Sequence, residues 1–241
     1  MYEIIIALIG SFFIGLIVTG FGLGVGLVIV PIFALFFAPA EVNSLVVSMV
    51  LIADLFTIHR YRGKQSMKNI IRILPFLIVG IIIGSFILSS GSPYLKLLIG
   101  VLCFFFSILQ FLSIRGLVKF RVPDRLSPVV GVSAGIVSAI AQVGSLLVTI
   151  YLSQKNFTKE TFLSTLSILF LFTNIAKFIS YASLGVMALS TLSTSLLSIP
   201  LIGLGSYAGY GINKRVGQES FFSIIMILAM ILSSIVIVSS F

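Results

Sequence analysis

The sequence predicts an all-α polytopic membrane protein made of two inverted repeats, each a broken or re-entrant helix pair plus three transmembrane helices. Three observations carry that expectation. Only 9% of the 241 residues are charged and 59% are hydrophobic, whereas a soluble domain is about 25% charged. The apolar residues gather into eight runs, long enough to be measured against the roughly 20 residues that cross a hydrocarbon core. Two of these runs, the first and the fifth, carry small-residue interruptions at related places.

In chain order the runs are Ile4–Phe37, Val42–Ile58, Ile70–Ser89, Tyr94–Ile114, Pro128–Leu152, Phe162–Tyr181, Leu189–Ile212 and Phe221–Ser239. The first holds 34 residues, about 50 Å of continuous helix against a hydrocarbon core of about 30 Å. Midway along it stands Thr19-Gly-Phe-Gly-Leu-Gly-Val-Gly26, followed by Pro31. Glycine weakens a helix and proline removes a backbone donor, so the expectation is two half-helices joined near Gly22–Gly26. The longest loop, Arg115–Ser127, is only a connector, which leaves a single membrane domain: repeat one 1–116, connector 117–127, repeat two 128–241. The first run does not read as a cleavable signal, because Glu3 stands where such a segment carries basic residues.

The 15 Lys and Arg against 6 Asp and Glu leave a net charge of +9. No basic patch is interleaved with exposed aromatics on a soluble module, so nucleic acid is not the expected partner. The charge is placed where it orients a membrane protein. His59–Arg72 holds five basic residues and Arg115–Arg125 four, while Ser153–Lys159 and Asn213–Glu219 hold two each, 13 of the 15 in all. Under the positive-inside rule these four loops face the cytoplasm. With both interrupted runs re-entrant and six spans, every loop obeys the rule and both termini lie outside a multi-pass cell membrane. Eight plain spans remain the alternative; they would put Lys155 and Lys159 outside.

The halves also match each other. Pro75, Gly80 and Gly84 align with Pro200, Gly205 and Gly209 at an offset of 125; Asp54 and Tyr61 align with Asn174 and Tyr181 at 120; Gly15, Thr19 and Gly22 align with Gly131, Gly135 and Ser138 at 116. An odd number of crossings per half inverts one relative to the other, the pattern of secondary transporters whose discontinuous helices meet at the midplane.

The interruptions are the expected site. Unwound backbone at membrane depth is tolerated where it lines a cavity or is buried in protein, and half-helix N-termini there suit an anion. The expected contacts are Thr19, the backbone at Gly22, Gly24 and Gly26, then Ser138, Gln142 and Asn174; the second interruption also offers Gly144 and Ser145. The competing reading is that the glycines only let helices pack closely. Asp54 is the one carboxylate inside an apolar span, where an ionisable group is costly. It either takes up protons during transport or pairs with His59 or Arg60 near the cytoplasmic end. Lys177 either attracts an anion or snorkels to the outer interface, the second being favoured.

Several chemistries are excluded. Gly131-Val-Ser-Ala-Gly135 spells the nucleophile-elbow pattern, but no strand-to-helix turn is expected and the one histidine, His59, lies in a loop. Neither a dinucleotide fingerprint nor a phosphate loop occurs. One Cys and one His leave no thiol framework or transition-metal cluster. The chain is not expected to be an enzyme and calls for no cofactor.

With its Gly20–Gly26 run and Pro31, its basic His59-Arg-Tyr-Arg-Gly63 loop and Gly144, the chain resembles the sulfite exporter TauE/SafE family of membrane permeases over nearly its whole length. The family's second-half glycine cluster is largely replaced here by Ile140-Ala141-Gln142. The resemblance implies a transporter of small sulfur-containing anions such as sulfite, sulfonates or sulfoacetate, working as an exporter. Proton coupling through Asp54 would add to it. A passive anion channel, or a non-transporting membrane subunit partnering a sulfur-metabolism enzyme, would share the same composition.

Overall fold

Eleven α-helices and one short 3-10 turn account for the regular structure in the computed structural model, which describes residues 2–21, 25–61, 63–118, 122–213 and 218–241. Among the described residues there is no strand. The first run forms α1 (Tyr2–Phe21) and α2 (Val25–Ala34); then come α3 (Pro39–Tyr61), α4 (Met67–Ser89) and α5 (Leu95–Ile114). The 3-10 turn Asp124–Leu126 leads into α6 (Ser127–Ala141) and α7 (Ser145–Ser153), followed by α8 (Lys159–Ser183), α9 (Leu189–Leu197), α10 (Ile199–Asn213) and α11 (Gln218–Val238). Six helices are long and apolar enough to cross a membrane, or seven spans if α9 and α10 count as one.

Both interrupted runs fold back on themselves. A side chain on Gly10 of α1 would strike the Phe33 ring of α2 at 2.4 Å, whereas in a continuous helix the two residues would lie about 35 Å apart. The second hairpin shows the same return. Lys155, just after α7, forms an ion pair with Asp124, just before α6. The run from 127 to 153 therefore starts and ends at one end of the bundle, which excludes a single crossing.

The arms are unequal, as a break near Gly22–Gly26 in the first run requires. α1 has 20 residues, about 30 Å, and α2 has 10, about 15 Å. The helix persists through Gly20 because that glycine packs on the Gly209 backbone of α10, where a Cβ would come within 2.8 Å of the carbonyl oxygen. The seventh run also departs from a single helix. It bends by 51° between α9 and α10, where Pro200 lacks an N–H and its ring excludes the preceding helical carbonyl. Ser195 and Ser198 add to the bend by hydrogen-bonding the carbonyls of Thr191 and Thr194, at 2.8 Å each.

Small residues set the helix pairing. α4 lies on α6 so closely that a Cβ on Gly80 would sit 2.1 Å from the Val132 oxygen, and one on Gly135 2.3 Å from the Leu77 oxygen. α1 lies on α10 in the same manner, with Gly205 against the Phe12 oxygen at 2.0 Å and Gly209 against that of Leu16 at 2.2 Å. Lipid tails are as apolar as leucine side chains, so close backbone approach supplies packing energy that burial cannot. α3 and α8 run antiparallel. Ser44 bonds the Val186 carbonyl at 3.1 Å at one end, and Ser66 N–H donates to Thr165 Oγ1 at 2.9 Å at the other. α5 packs on α11 across the bundle.

Three of the four basic loops meet at one end. Lys64 pairs with Glu160, and Asp124 pairs with both Arg72 and Lys155. The fourth, with Lys214 and Arg215, lies outside the described residues.

Candidate functional site

The two interruptions come together in the interior. Gly26, the second residue of α2, abuts Gln142, the residue after α6; a Cβ on Gly26 would fall 2.2 Å from the Gln142 carbonyl oxygen. Cys103 of α5 closes the junction from behind, its buried Sγ 3.7 Å from the Gly26 oxygen and 4.0 Å from that of Ala141. The close-packing reading of these glycines holds at Gly26. No side chain fits there, and the same residue faces a cavity. Gly22 and Gly24 lie outside the described residues.

That cavity, about 60 Å³, is lined from five directions. Val25 and Gly26 open the N-terminus of α2 onto it, and Gly144 and Ser145 open the N-terminus of α7. Helix N-termini carry partial positive charge and unsatisfied N–H groups, and two of them converge here. α3 contributes Asp54; α8 contributes Thr173, Asn174 and Lys177; the second hairpin adds Ser138 and Gln142. Leu77 and Ile81 of α4 supply an apolar wall. The volume accommodates several waters.

Its polar groups form an ordered set. Asn174 Nδ2 donates to Asp54 Oδ2 at 2.6 Å, joining α8 to α3. Both residues are buried, Asp54 with 3% of its surface exposed. The side chains of His59 and Arg60 lie outside the description, so the alternative pairing falls there. Lys177 Nζ donates to Gln142 Oε1, and Gln142 Nε2 donates to Asn43 Oδ1 at 3.4 Å. Asn43 in turn donates to the Ile140 carbonyl at 2.8 Å and to that of Pro39 at 3.0 Å. Tyr181, one turn beyond Lys177, donates its hydroxyl proton to the Ala139 carbonyl at 2.5 Å. The end of α6, which has run out of helical partners, is thus tied to both α3 and α8.

Gln142 is the one described non-glycine residue with positive φ, 58°. It stands at the left-handed cap of α6, where glycine fits without strain. That is the place where the expected glycine cluster is replaced.

Of the residues expected at the site, Gly26, Ser138, Gln142, Asn174 and Asp54 line the cavity together. Thr19 is not among them. Its Oγ1 lies 3.2 Å from Thr57 Oγ1, whose own proton goes to the Ala53 carbonyl at 3.0 Å, so Thr19 ties α1 to α3. Lys177 corrects the snorkelling expectation: it is 3% exposed and points inward, because the Gln142 turn sets an acceptor before it. Asn43 was missed. A lone Asn in the first turn of an apolar span was the available signal.

A polytopic helical protein with a cavity lined by buried polar side chains where two helical hairpins meet has an organisation suited to membrane transport. The family model of the sulfite exporter TauE/SafE matches residues 7–237, and the chain belongs to that family. It is accordingly a multi-pass membrane transporter of sulfite-type anions and not an enzyme. Neither a curated protein nor a solved structure matches the chain.

Proposed function

We propose that the protein is a secondary active transporter exporting small sulfur-containing anions, such as sulfite, sulfonates or sulfoacetate, from the cytoplasm by alternating access. The observation that carries this reading is the interior cavity onto which the N-termini of α2 and α7 both open, with Asp54, Asn174 and Lys177 on its wall. Substrate contacts come from Gly26, Ser138, Asn174 and the backbone of Gln142, with Gly22 and Gly24 completing the first hairpin and Thr19 behind it.

The alternating motion is that of two inverted repeats, 1–116 and 128–241, about the fixed site. Support comes from equivalent residues that touch. Asp54 bonds Asn174, its counterpart at an offset of 120, and Gly26 abuts Gln142, its counterpart at 116. A residue meets its own symmetry mate only on the symmetry axis. The same relation carries the α4–α6 pair onto the α10–α1 pair. The basic loops are cytoplasmic and both termini outside, by the positive-inside rule.

Asp54 takes up a proton in the cycle. Burying net charge is costly, and Lys177 is the other ionisable side chain lining the cavity. A monoanion entering beside a charged Asp54–Lys177 couple leaves one uncompensated negative charge, which a proton on Asp54 removes. Purified protein in liposomes is expected to move labelled sulfite or a short sulfonate with saturation and counterflow. No flux with any member of the series would sink the proposal.

A further inference from the structure

The buried ammonium of Lys177 makes no direct ion pair among the described residues, although Asp54 shares its cavity. The three direct ion pairs among the described residues join the basic loops and the adjoining helix ends, and Asp54 takes its hydrogen bond from Asn174 instead. Charges in a membrane interior are found paired or facing a pathway. An ammonium has three donors, and the protein acceptor it meets among the described residues is the neutral Oε1 of Gln142.

Gln142 itself sits in a left-handed turn that a glycine would make without strain. A side chain kept in such a conformation points to a task for that side chain, and what it does here is occupy Lys177. Ser138, Ser145 and the first turn of α7 line the same cavity as Lys177, as does Thr173, whose hydroxyl proton goes to the Phe170 carbonyl at 3.0 Å. The serines and the helix turn therefore offer donors beside one positive charge, with Asp54 the one carboxylate on the wall, in a space too small for a bulky ligand.

Resting on the transport reading above, we infer that Lys177 is the residue that binds the transported anion, and that Gln142 Oε1 is the protein's own competitor for it. The ligand chemistry follows from the donors. An ammonium is a compact point charge rather than a planar fork, and it suits an oxyanion whose charge is concentrated on a small head with several acceptor oxygens. The sulfur end of the substrate sits at Lys177, with any organic tail directed along the apolar Leu77–Ile81 wall.

Sulfite binding to the purified full chain, measured by calorimetry, tests this with three variants. Lys177→Met is expected to weaken binding by about thirtyfold or more, and Lys177→Arg, which keeps the charge, to retain measurable saturable binding. Gln142→Gly removes the competitor and is expected to tighten binding by about two- to tenfold. Wild-type affinity in Lys177→Met would overturn the inference while leaving the transport reading intact. Absence of sulfite and sulfonate binding by the wild type, with no flux, would remove both. If Lys177→Met does not fold, Gln142→Gly decides alone: unchanged or weaker sulfite binding overturns the inference.

Discussion

Asn43 shows how much one amide can hold in place. Its side chain caps the Ile140 carbonyl near the end of α6, bonds its own helix at Pro39, and accepts from Gln142. Replacing it with alanine leaves a buried carbonyl and the Gln142 amide unpartnered. Asn43→Ala is expected to lower stability by about 1–3 kcal/mol, read as a lower melting temperature in detergent; an unchanged melting temperature would show that water replaces the amide without loss. Asp54 gives the second residue-scale prediction. In Asp54→Asn the proton site is gone, so the pH dependence of sulfite flux is expected to flatten. Full wild-type pH dependence after the change would remove Asp54 from coupling. Both Asp54 and Asn174 were legible in the sequence, since polar residues in apolar runs stand out. The bond between them was not, because it depends on how α3 and α8 are placed side by side.

At the scale of elements, the boundaries of the apolar runs recur in the helices within a few residues, because helix length in a membrane is fixed by hydrocarbon thickness. The interruptions were legible too, from glycine density and excess length. Two features were not. The bend at Ser198 acts through serine hydroxyls as well as Pro200, and Lys177 turned inward when the Gln142 cap supplied an acceptor. The return of the second hairpin carries its own prediction. In a Cys103→Ala background, cysteines placed at Arg72 and at Lys155 are expected to react with a membrane-impermeant thiol reagent from the same side. A cysteine at Ser90, at the far end of α4, is expected to react from the opposite side. Opposite-side labelling of the first two would overturn the hairpin.

At the scale of the whole molecule, the proposed alternating access calls for a carrier rather than a pore. Sulfite flux in liposomes is expected to saturate, and planar bilayers carrying the protein to show no ohmic sulfite current; a non-saturating current would identify a channel instead. By itself the sequence determined the membrane setting, the eight apolar runs, the basic loops between them and the two runs that fold back. These follow from composition, length and local backbone preference, which act residue by residue. Tertiary structure alone decided that Gly26 meets Gln142, that Asp54 meets Asn174, that Thr19 turns to Thr57 and that Lys177 faces inward. Those outcomes rest on close backbone contact and on which donor reaches which acceptor across segments 35 to 120 residues apart in the chain, and no local pattern encodes them.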